Sequence, residues 1–191
     1  FDSILQKMKA RLDDFPFSAP KGATLTMMWR RDEDYYEKGT GWRKTDSHVF
    51  LNQGIHWLDV LNWFFGEPQQ IHAVSRVTRP FLSCADQTGA VISYPSAVVT
   101  LTGGTFAGAS YPDQFIIYSE ADRLDYQEIT ARGQPSRLQR RLLRRPPPAD
   151  PMALQVRDFI DSIRENRAPL TTVDAAVRAL RLAMTISRVD H

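Results

Sequence analysis

The sequence predicts an α+β domain in which helices pack on one face of a sheet. Short runs of β-forming residues follow one another between residues 70 and 126, and turn-forming residues separate them. Apolar residues at helical spacing mark two helices before this region and two after it, at residues 154–163 and 173–186. Such segregation of helices and strands along a chain is typical of the α+β class.

The two helices that precede the strands are bounded by prolines and a glycine. The first covers residues 4–12 and ends before Pro16, because proline cannot continue a helix. The second runs from about Gly54 to Phe65. Gly66 is expected to supply a left-handed cap there, and Pro68 prevents the helix from continuing.

A strand at residues 23–29 opens the sheet. The polar, aromatic segment that follows it, residues 30–47, is predicted to be a loop that faces a ligand. The later strands are expected at residues 70–78, 90–94, 97–101, 105–108, 115–118 and 123–126. Turn formers such as Gly103-Gly104 keep their connections short, which favours an antiparallel meander.

The composition is that of an ordinary globular protein. The 191 residues are 42% hydrophobic and 24% charged, which suffices to bury a core. A formal charge of +2 gives no support for a nucleic-acid or membrane partner, and the apolar stretches are too short to span a bilayer. The single cysteine, Cys84, excludes an intramolecular disulfide and suits a cytoplasmic protein.

Residues 134–151 differ in composition from the rest of the chain. They contain five arginines and three consecutive prolines, and we expect them to form a mobile loop. A surface for an anionic partner is the functional alternative, but a solvated loop accounts for the arginines more simply.

The strongest chemical signal is the stretch LNQGIHWLD at residues 51–59. It places Asn52, His56 and Asp59 at the start of an otherwise apolar helix. If helical spacing begins this early, Asn52 and His56 share one face because they are four residues apart. His56 is the best candidate for acid–base chemistry, since imidazole changes charge near neutral pH. Asn52 would hold it in one tautomer or bind a ligand hydroxyl. Asp59 is expected to pair with a basic residue such as Arg43.

Other kinds of site lack their sequence patterns. His48 and His56 have no third metal ligand at a usual spacing. Cys84 has no neighbouring histidine, and no Gly-x-Ser-x-Gly turn occurs. The glycines follow neither the dinucleotide fingerprint nor the P-loop pattern. We therefore expect no metal site and no cofactor site within this chain.

Three segments together resemble a known family. Residues 51–59, followed by Gly66-Glu67-Pro68, resemble the C-terminal domain of the Gfo/Idh/MocA oxidoreductases. The segment YYEKGTGWRKT, residues 35–45, is similar to the loop before the histidine in members that act on nucleotide-linked acetamido sugars. The segment FIDSIRENRAP, residues 159–169, matches the penultimate helix and its exit. The resemblance runs along almost all of residues 1–191, as a single domain without a Rossmann domain.

The resemblance implies a twisted, mostly antiparallel, open-faced sheet with helices on one side, whose open face often forms homo-oligomers. It implies a reversible hydride transfer at a carbon that bears a hydroxyl, with His56 and Asn52 as catalytic residues. The substrate, a sugar or nucleotide-sugar, would contact Tyr36, Trp42, Arg43 and Gln53. In complete members a separate Rossmann domain binds NAD or NADP and contributes a lysine.

The sequence departs from the family in two places, and three functions remain open. Ser47-His48-Val49 stands where a glycine run is expected, and residues 134–151 have no clear counterpart. The first possible function is the substrate domain of an NAD(P)-dependent sugar-type dehydrogenase. The second is a stand-alone domain that catalyses proton transfer, elimination or cyclisation without a cofactor. The third is a non-catalytic dimerisation module.

Overall fold

The computed structural model describes residues 2–13, 20–120, 122–133 and 150–188. In chain order the described elements are α1 (Ser3–Asp13), β1 (Gly22–Met28), α2 (Glu33–Glu37), α3 (Arg43–Asp46), α4 (Val49–Asn52), α5 (Ile55–Phe65), β2 (Gln70–Arg76), β3 (Gln87–Ser93), β4 (Val98–Gly104), β5 (Gln114–Tyr118), β6 (Arg123–Asp125), α6 (Tyr126–Gly133), α7 (Pro151–Arg164) and α8 (Val173–Arg188). The predicted α+β class is confirmed.

The strands form one six-stranded sheet in the order β2-β3-β4-β1-β5-β6. The predicted meander is confirmed for β2, β3 and β4, which pair antiparallel in succession. β1 lies between β4 and β5 and runs parallel to β4. A parallel neighbour needs a long crossover, and the chain between β1 and β4 provides it by passing through four helices and two strands.

One face of the sheet is buried and the other is open. Alternate residues of β1 point into the core, where Ala23, Leu25 and Met27 are buried. Helix α5 covers this face with Leu58 and Leu61. Helix α8 packs on α5, on α4 and on β2. The opposite face carries exposed β-branched side chains, so helices on one side of an open-faced sheet are confirmed.

Several predicted boundaries were wrong for local reasons. Residues 105–108 are not a strand, because Phe106 makes only a single bridge to Arg30. Gly103-Gly104 is not a turn but the end of β4. The segment 30–47 was predicted to be a loop, yet it contains α2 and α3. Helices of four or five residues are too short for hydrophobic periodicity to reveal them.

Capping residues set the ends of two of the longer helices. Gly66 ends α5 at φ 86° and ψ −149°, so its φ is positive as predicted, although its ψ is not that of a left-handed helix. Asp150 caps α7 by accepting a hydrogen bond from the backbone N–H of Met152. The predicted mobile loop otherwise lies outside the described residues. None of the described helices is both long and apolar enough to cross a membrane.

Candidate functional site

The site is organised by the junction between α4 and α5. Helix α4 ends at Asn52, and Gly54 starts α5 by accepting hydrogen bonds from the backbone N–H groups of Trp57 and Leu58. A side chain at Gly54 would clash with the buried ring of Phe50, so this turn needs glycine. Residues 51–59 therefore form two helices joined by a tight turn rather than one helix.

Asn52 is half-buried and oriented by two hydroxyl groups. Its Nδ2 donates to the Ser47 hydroxyl at 2.7 Å and to the Tyr35 hydroxyl at 3.1 Å. Both amide protons are thereby used, and the amide oxygen has no partner among the described residues. An acceptor held in this way is suited to a ligand hydroxyl.

His56 is exposed on the first turn of α5. Within the described part of the chain its ring makes no hydrogen bond, and the neighbouring Trp57 side chain points into the core at 9% exposure. A ring that is anchored by a rigid helix and open to solvent can give or take a proton at a bound molecule. Its acid–base role stays a prediction.

Next to Asn52 lies an alternation of aromatic rings and guanidinium groups, which we call the arginine–aromatic row. It consists of Trp29, Arg31, Tyr35, Arg43 and Trp42. The Arg31 guanidinium carbon lies 5.0 Å from the Trp29 ring centroid and 5.2 Å from that of Tyr35. The Arg43 guanidinium carbon lies 5.2 Å from the Tyr35 centroid and 4.6 Å from that of Trp42. These distances are those of cation–π contacts.

The row is attached to the His56 segment at two points. The Tyr35 hydroxyl accepts the hydrogen bond from Asn52 already described. At the other end, the Asp113 carboxylate accepts hydrogen bonds from the indole N–H of Trp29 and the indole N–H of Trp57, both at 2.8 Å. Because Trp57 directly follows His56, Asp113 fixes the row and the start of α5 relative to one another.

Beneath the row lies a second arginine cluster, centred on Arg79. The Arg79 Nε donates to Asp86 at 2.9 Å, and other guanidinium nitrogens donate to the Tyr36 hydroxyl, the Thr105 hydroxyl and the backbone carbonyl of Arg31. Asp86 is 1% exposed. A buried carboxylate paired in this way is a structural element, and it supports the chain segment on which Arg31 lies.

Two residues predicted to bind substrate lie inside the molecule. Tyr36 is 1% exposed, its hydroxyl is shared between Arg79 and Thr105, and burial raises its pKa. Gln53 is 6% exposed, and its Oε1 has no hydrogen-bond partner among the described residues. In this conformation neither side chain is presented to a ligand. Trp42, at 42% exposure, and the half-buried Arg43 lie at the surface in the row.

His48 is another buried polar group beside the junction. Its Nδ1 accepts a hydrogen bond from the backbone N–H of Phe50, and its Nε2 lies 3.1 Å from the hydroxyls of both Ser75 and Thr88. Burial lowers the pKa of His48 to about 4. The imidazole is therefore neutral at pH 7, and its contacts cap α4 and fasten it to the sheet.

Asp59 does not pair with Arg43 as predicted. It lies on α5 near Arg178 of α8, and burial raises its pKa while the charges of Arg178 and His56 oppose this shift. A cavity of about 300 Å³ extends along the same face of α5, lined by Asp59, Asn62 and Trp63. Leu5 of α1 and Thr171, which precedes α8, line its other side, and His56 is not among the lining residues.

Neither a cluster of metal ligands among the described residues nor a dinucleotide glycine pattern in the sequence is present. No group of three or more histidine, cysteine, aspartate or glutamate side chains in this part of the chain is arranged to hold a metal ion. The Rossmann glycine pattern that would cradle the phosphates of NAD or NADP is not present in the sequence. That this chain holds no dinucleotide by itself stays a prediction.

Arg31, Tyr35 and Asp113 were not predicted from the sequence as site residues. Tyr35 and Tyr36 are adjacent on α2, and successive helical residues point about 100° apart, so only one of them faces the core. The N-cap Asp32 is the one signal that could have located α2 and hence separated the two tyrosines. No local pattern indicates Asp113, whose indole partners are 84 and 56 residues away in sequence.

Comparison with known proteins gives a consistent assignment. The family model described as the GFO/IDH/MocA C-terminal domain matches residues 5–125. The fold is similar to that of the WlbA dehydrogenase from Bordetella pertussis, solved in complex with NADH and UDP-GlcNAcA. The TM-score is 0.79 at 18% identity, over 98% of this chain and 57% of the other.

Two further structures are similar in the same way. UDP-N-acetylglucosamine 3-dehydrogenase GnnA from Acidithiobacillus ferrooxidans gives a TM-score of 0.67 at 17% identity, over 96% of this chain and 58% of that one. The myo-inositol 2-dehydrogenase from Lactobacillus plantarum gives a TM-score of 0.71 at 18% identity, over 97% of this chain and 58% of that one.

No curated protein matches the sequence. The chain spans less than three-fifths of the length of the three solved structures described above. On the family match over residues 5–125, the chain belongs to the Gfo/Idh/MocA family and contains its C-terminal domain.

Proposed function

We propose that this chain is the substrate-binding and oligomerisation domain of an NAD(P)-dependent sugar-type dehydrogenase. The observation that carries the proposal is the α4–α5 junction, where an exposed imidazole and an oriented amide oxygen follow one another on a rigid support. A sugar hydroxyl needs such an acceptor and such a base when the carbon that bears it is oxidised.

Each residue has a separate task in this proposal. Asn52 accepts a hydrogen bond from a substrate hydroxyl and so fixes the orientation of the sugar ring. His56 takes the proton of the reacting hydroxyl during oxidation and returns it during reduction. NAD or NADP is held by a separate Rossmann domain, and this chain alone binds neither. Tight, stoichiometric binding of NADPH to this chain in a calorimetric titration would contradict that part.

The substrate class proposed is a sugar or a nucleotide-linked sugar. Support comes from the neighbours of similar fold, two of which are described by a UDP-sugar ligand or substrate. It comes also from the aromatic side chains beside Asn52, since sugar rings pack well on such surfaces. A cytoplasmic location is proposed on the basis of a single cysteine and no disulfide.

Turnover in the complete enzyme, this chain together with its NAD(P)-binding domain, tests the role of His56. With UDP-N-acetylglucosamine as substrate, His56→Gln is expected to lower the rate of NAD(P)H formation by about 10²–10⁴-fold, the usual size of general acid–base catalysis. Lys7→Gln serves as the control, because Lys7 is exposed on α1 and lies in neither the proposed site nor the open sheet face. An unchanged rate for His56→Gln would contradict the proposal.

The open face of the sheet is proposed to join two copies of the chain. Val74, Val91 and Val98 on this face are 75%, 45% and 50% exposed. Apolar side chains on an uncovered sheet are a common basis for association. Sedimentation of Val91→Lys should therefore show a shift towards monomer, whereas Val173→Lys on α8, where the valine is 79% exposed, should sediment as wild type does. A monomeric wild-type chain would refute this part.

A further inference from the structure

We propose that Arg31 and Arg43 form an oxyanion site for the substrate, which takes a phosphate or a carboxylate group. The inference rests on the proposed function and extends it, because it makes the substrate an anionic sugar rather than any polyol. The site is the arginine–aromatic row, and its ligand would reach from there to Asn52 and His56.

Arg31 and Arg43 have no carboxylate partner among the described residues, whereas other cations nearby have one. Lys44 pairs with Glu33 and Glu37, and Arg79 pairs with Asp86. Among the described residues no carboxylate lies within 4.0 Å of the Arg31 or Arg43 guanidinium groups. The Nε atom of each is buried and has no hydrogen-bond partner in that part of the structure. Buried N–H donors without partners are rare in proteins, so a missing acceptor is indicated.

The two guanidinium groups are held in place before a ligand arrives. Rings lie against both, and each also donates to a backbone carbonyl, Arg31 to Arg30 at 2.8 Å and Arg43 to Lys38 at 3.3 Å. Guanidinium groups present a planar set of donors that matches the oxygens of phosphates and carboxylates. Because little side-chain entropy is left to lose, such a pair binds an oxyanion more tightly than free surface arginines do.

The two arginines also lie close to the amide of Asn52. Both arginines contact the Tyr35 ring, and the Tyr35 hydroxyl is bonded to Asn52. An anionic group on the row would thus place the remainder of its molecule beside the amide oxygen proposed to orient a sugar hydroxyl. A nucleotide-linked sugar carries phosphates and a sugar acid carries a carboxylate, and both satisfy this arrangement.

Calorimetric titration of this 191-residue chain at low ionic strength tests the proposal with three probes. UDP offers phosphates, glucuronate offers a carboxylate on a sugar, and N-acetylglucosamine offers a sugar without charge. We expect UDP, glucuronate or both to bind more tightly than N-acetylglucosamine, and their affinity to fall as salt is added. Which of the two binds identifies the source of the oxyanion. Equal binding of all three, or binding that salt does not alter, would overturn the proposal.

Three variants assign the binding to the row. Arg31→Gln and Arg43→Gln should each raise the Kd of the anionic probe by about tenfold or more, the size expected for charge-assisted hydrogen bonds. Arg30→Gln is the matched control, because Arg30 is exposed and outside the row. Its Kd for the anionic probe should stay within about twofold of the wild-type value. Arg43→Lys keeps the charge but not the planar donor set, and it should fall between wild type and Arg43→Gln. Equal weakening by Arg30→Gln would overturn the site.

The two proposals fail in different ways. If the sugar proposal is right and the oxyanion site is wrong, N-acetylglucosamine binds as well as glucuronate, and neither Arg31→Gln nor Arg43→Gln alters either affinity. If the oxyanion site is right and the sugar proposal is wrong, UDP binds and is weakened by Arg31→Gln or Arg43→Gln, but N-acetylglucosamine does not bind. Circular dichroism of each variant checks that it is folded before its affinity is compared.

Discussion

The Arg79 cluster and the arginine–aromatic row use the same chemistry for different ends. In both, guanidinium groups lie about 5 Å from aromatic ring centroids, in the usual range for cation–π contacts. Arg79 faces inward, pairs with a carboxylate that is 1% exposed, and also bonds two hydroxyls and a backbone carbonyl. Arg31 and Arg43 have no such carboxylate among the described residues. An arginine that contacts an aromatic ring thus does not indicate function by itself. Whether its remaining N–H donors are already paired within the protein distinguishes a structural arginine from one that can bind a ligand.

The largest effect is expected where a charge is buried. Asp86→Asn leaves Arg79 without its counter-charge, and breaking one side of a buried pair costs about 3–5 kcal/mol. Urea unfolding should show a loss of this size, with Asp34→Asn, an exposed carboxylate, as the control. A loss below about 1 kcal/mol, the level of an exposed ion pair, would remove the distinction between the two arginine clusters.

A smaller effect, and one that depends on pH, is expected at His48. Its pKa is about 4 in the fold and 6.5 for the ordinary side chain, so between these values the unfolded chain binds more protons. The neutral His48 ring therefore contributes to the free energy of unfolding in full above about pH 6.5. This contribution is lost as the pH falls towards 4, and the total loss is roughly 3 kcal/mol. His48→Gln should lower stability at pH 7 but make it less dependent on pH over this range. His72→Gln should keep the wild-type slope, and identical slopes for both variants would contradict this explanation.

The smallest effect on stability is expected in the row. Arg31→Gln and Arg43→Gln remove half-buried cation–π contacts worth about 0.5–1 kcal/mol each. Thermal unfolding of either variant should therefore show a much smaller loss than Asp86→Asn. A loss as large as that of Asp86→Asn would mean that the row supports the fold, and it would blur the contrast with the Arg79 cluster.

Most of the fold could be predicted because apolar residues recur with a regular period within its longer helices and strands. Helix α5 and the strands β2 to β5 were all located from apolar spacing and turn residues, within a few positions of their ends. The parallel pairing of β1 with β4 was not predictable in this way, because no local pattern reports which distant strands meet. Short helices such as α2 were missed since five residues hold little more than one turn.

The candidate site was predictable only in part. Asn52 and His56 stood out because polar groups interrupt an apolar segment, and they lie where α4 meets α5. Trp42 and Arg43 were selected and lie at the surface, whereas Tyr36 was selected in place of its neighbour Tyr35. That difference depends on the phase of a short helix. Asp113 depends on contacts over more than 50 residues, which no single segment encodes.

Nuclear magnetic resonance of the histidine rings tests the central claim most directly. The chain contains four histidines, so the ring signals of His56 can be assigned from the spectrum of His56→Gln. On titration with UDP-N-acetylglucosamine, we predict that the His56 signals shift and saturate while those of His48 and His72 stay in place. No shift at His56, or an equal shift at His72, would contradict the assignment of the α4–α5 junction as the substrate site.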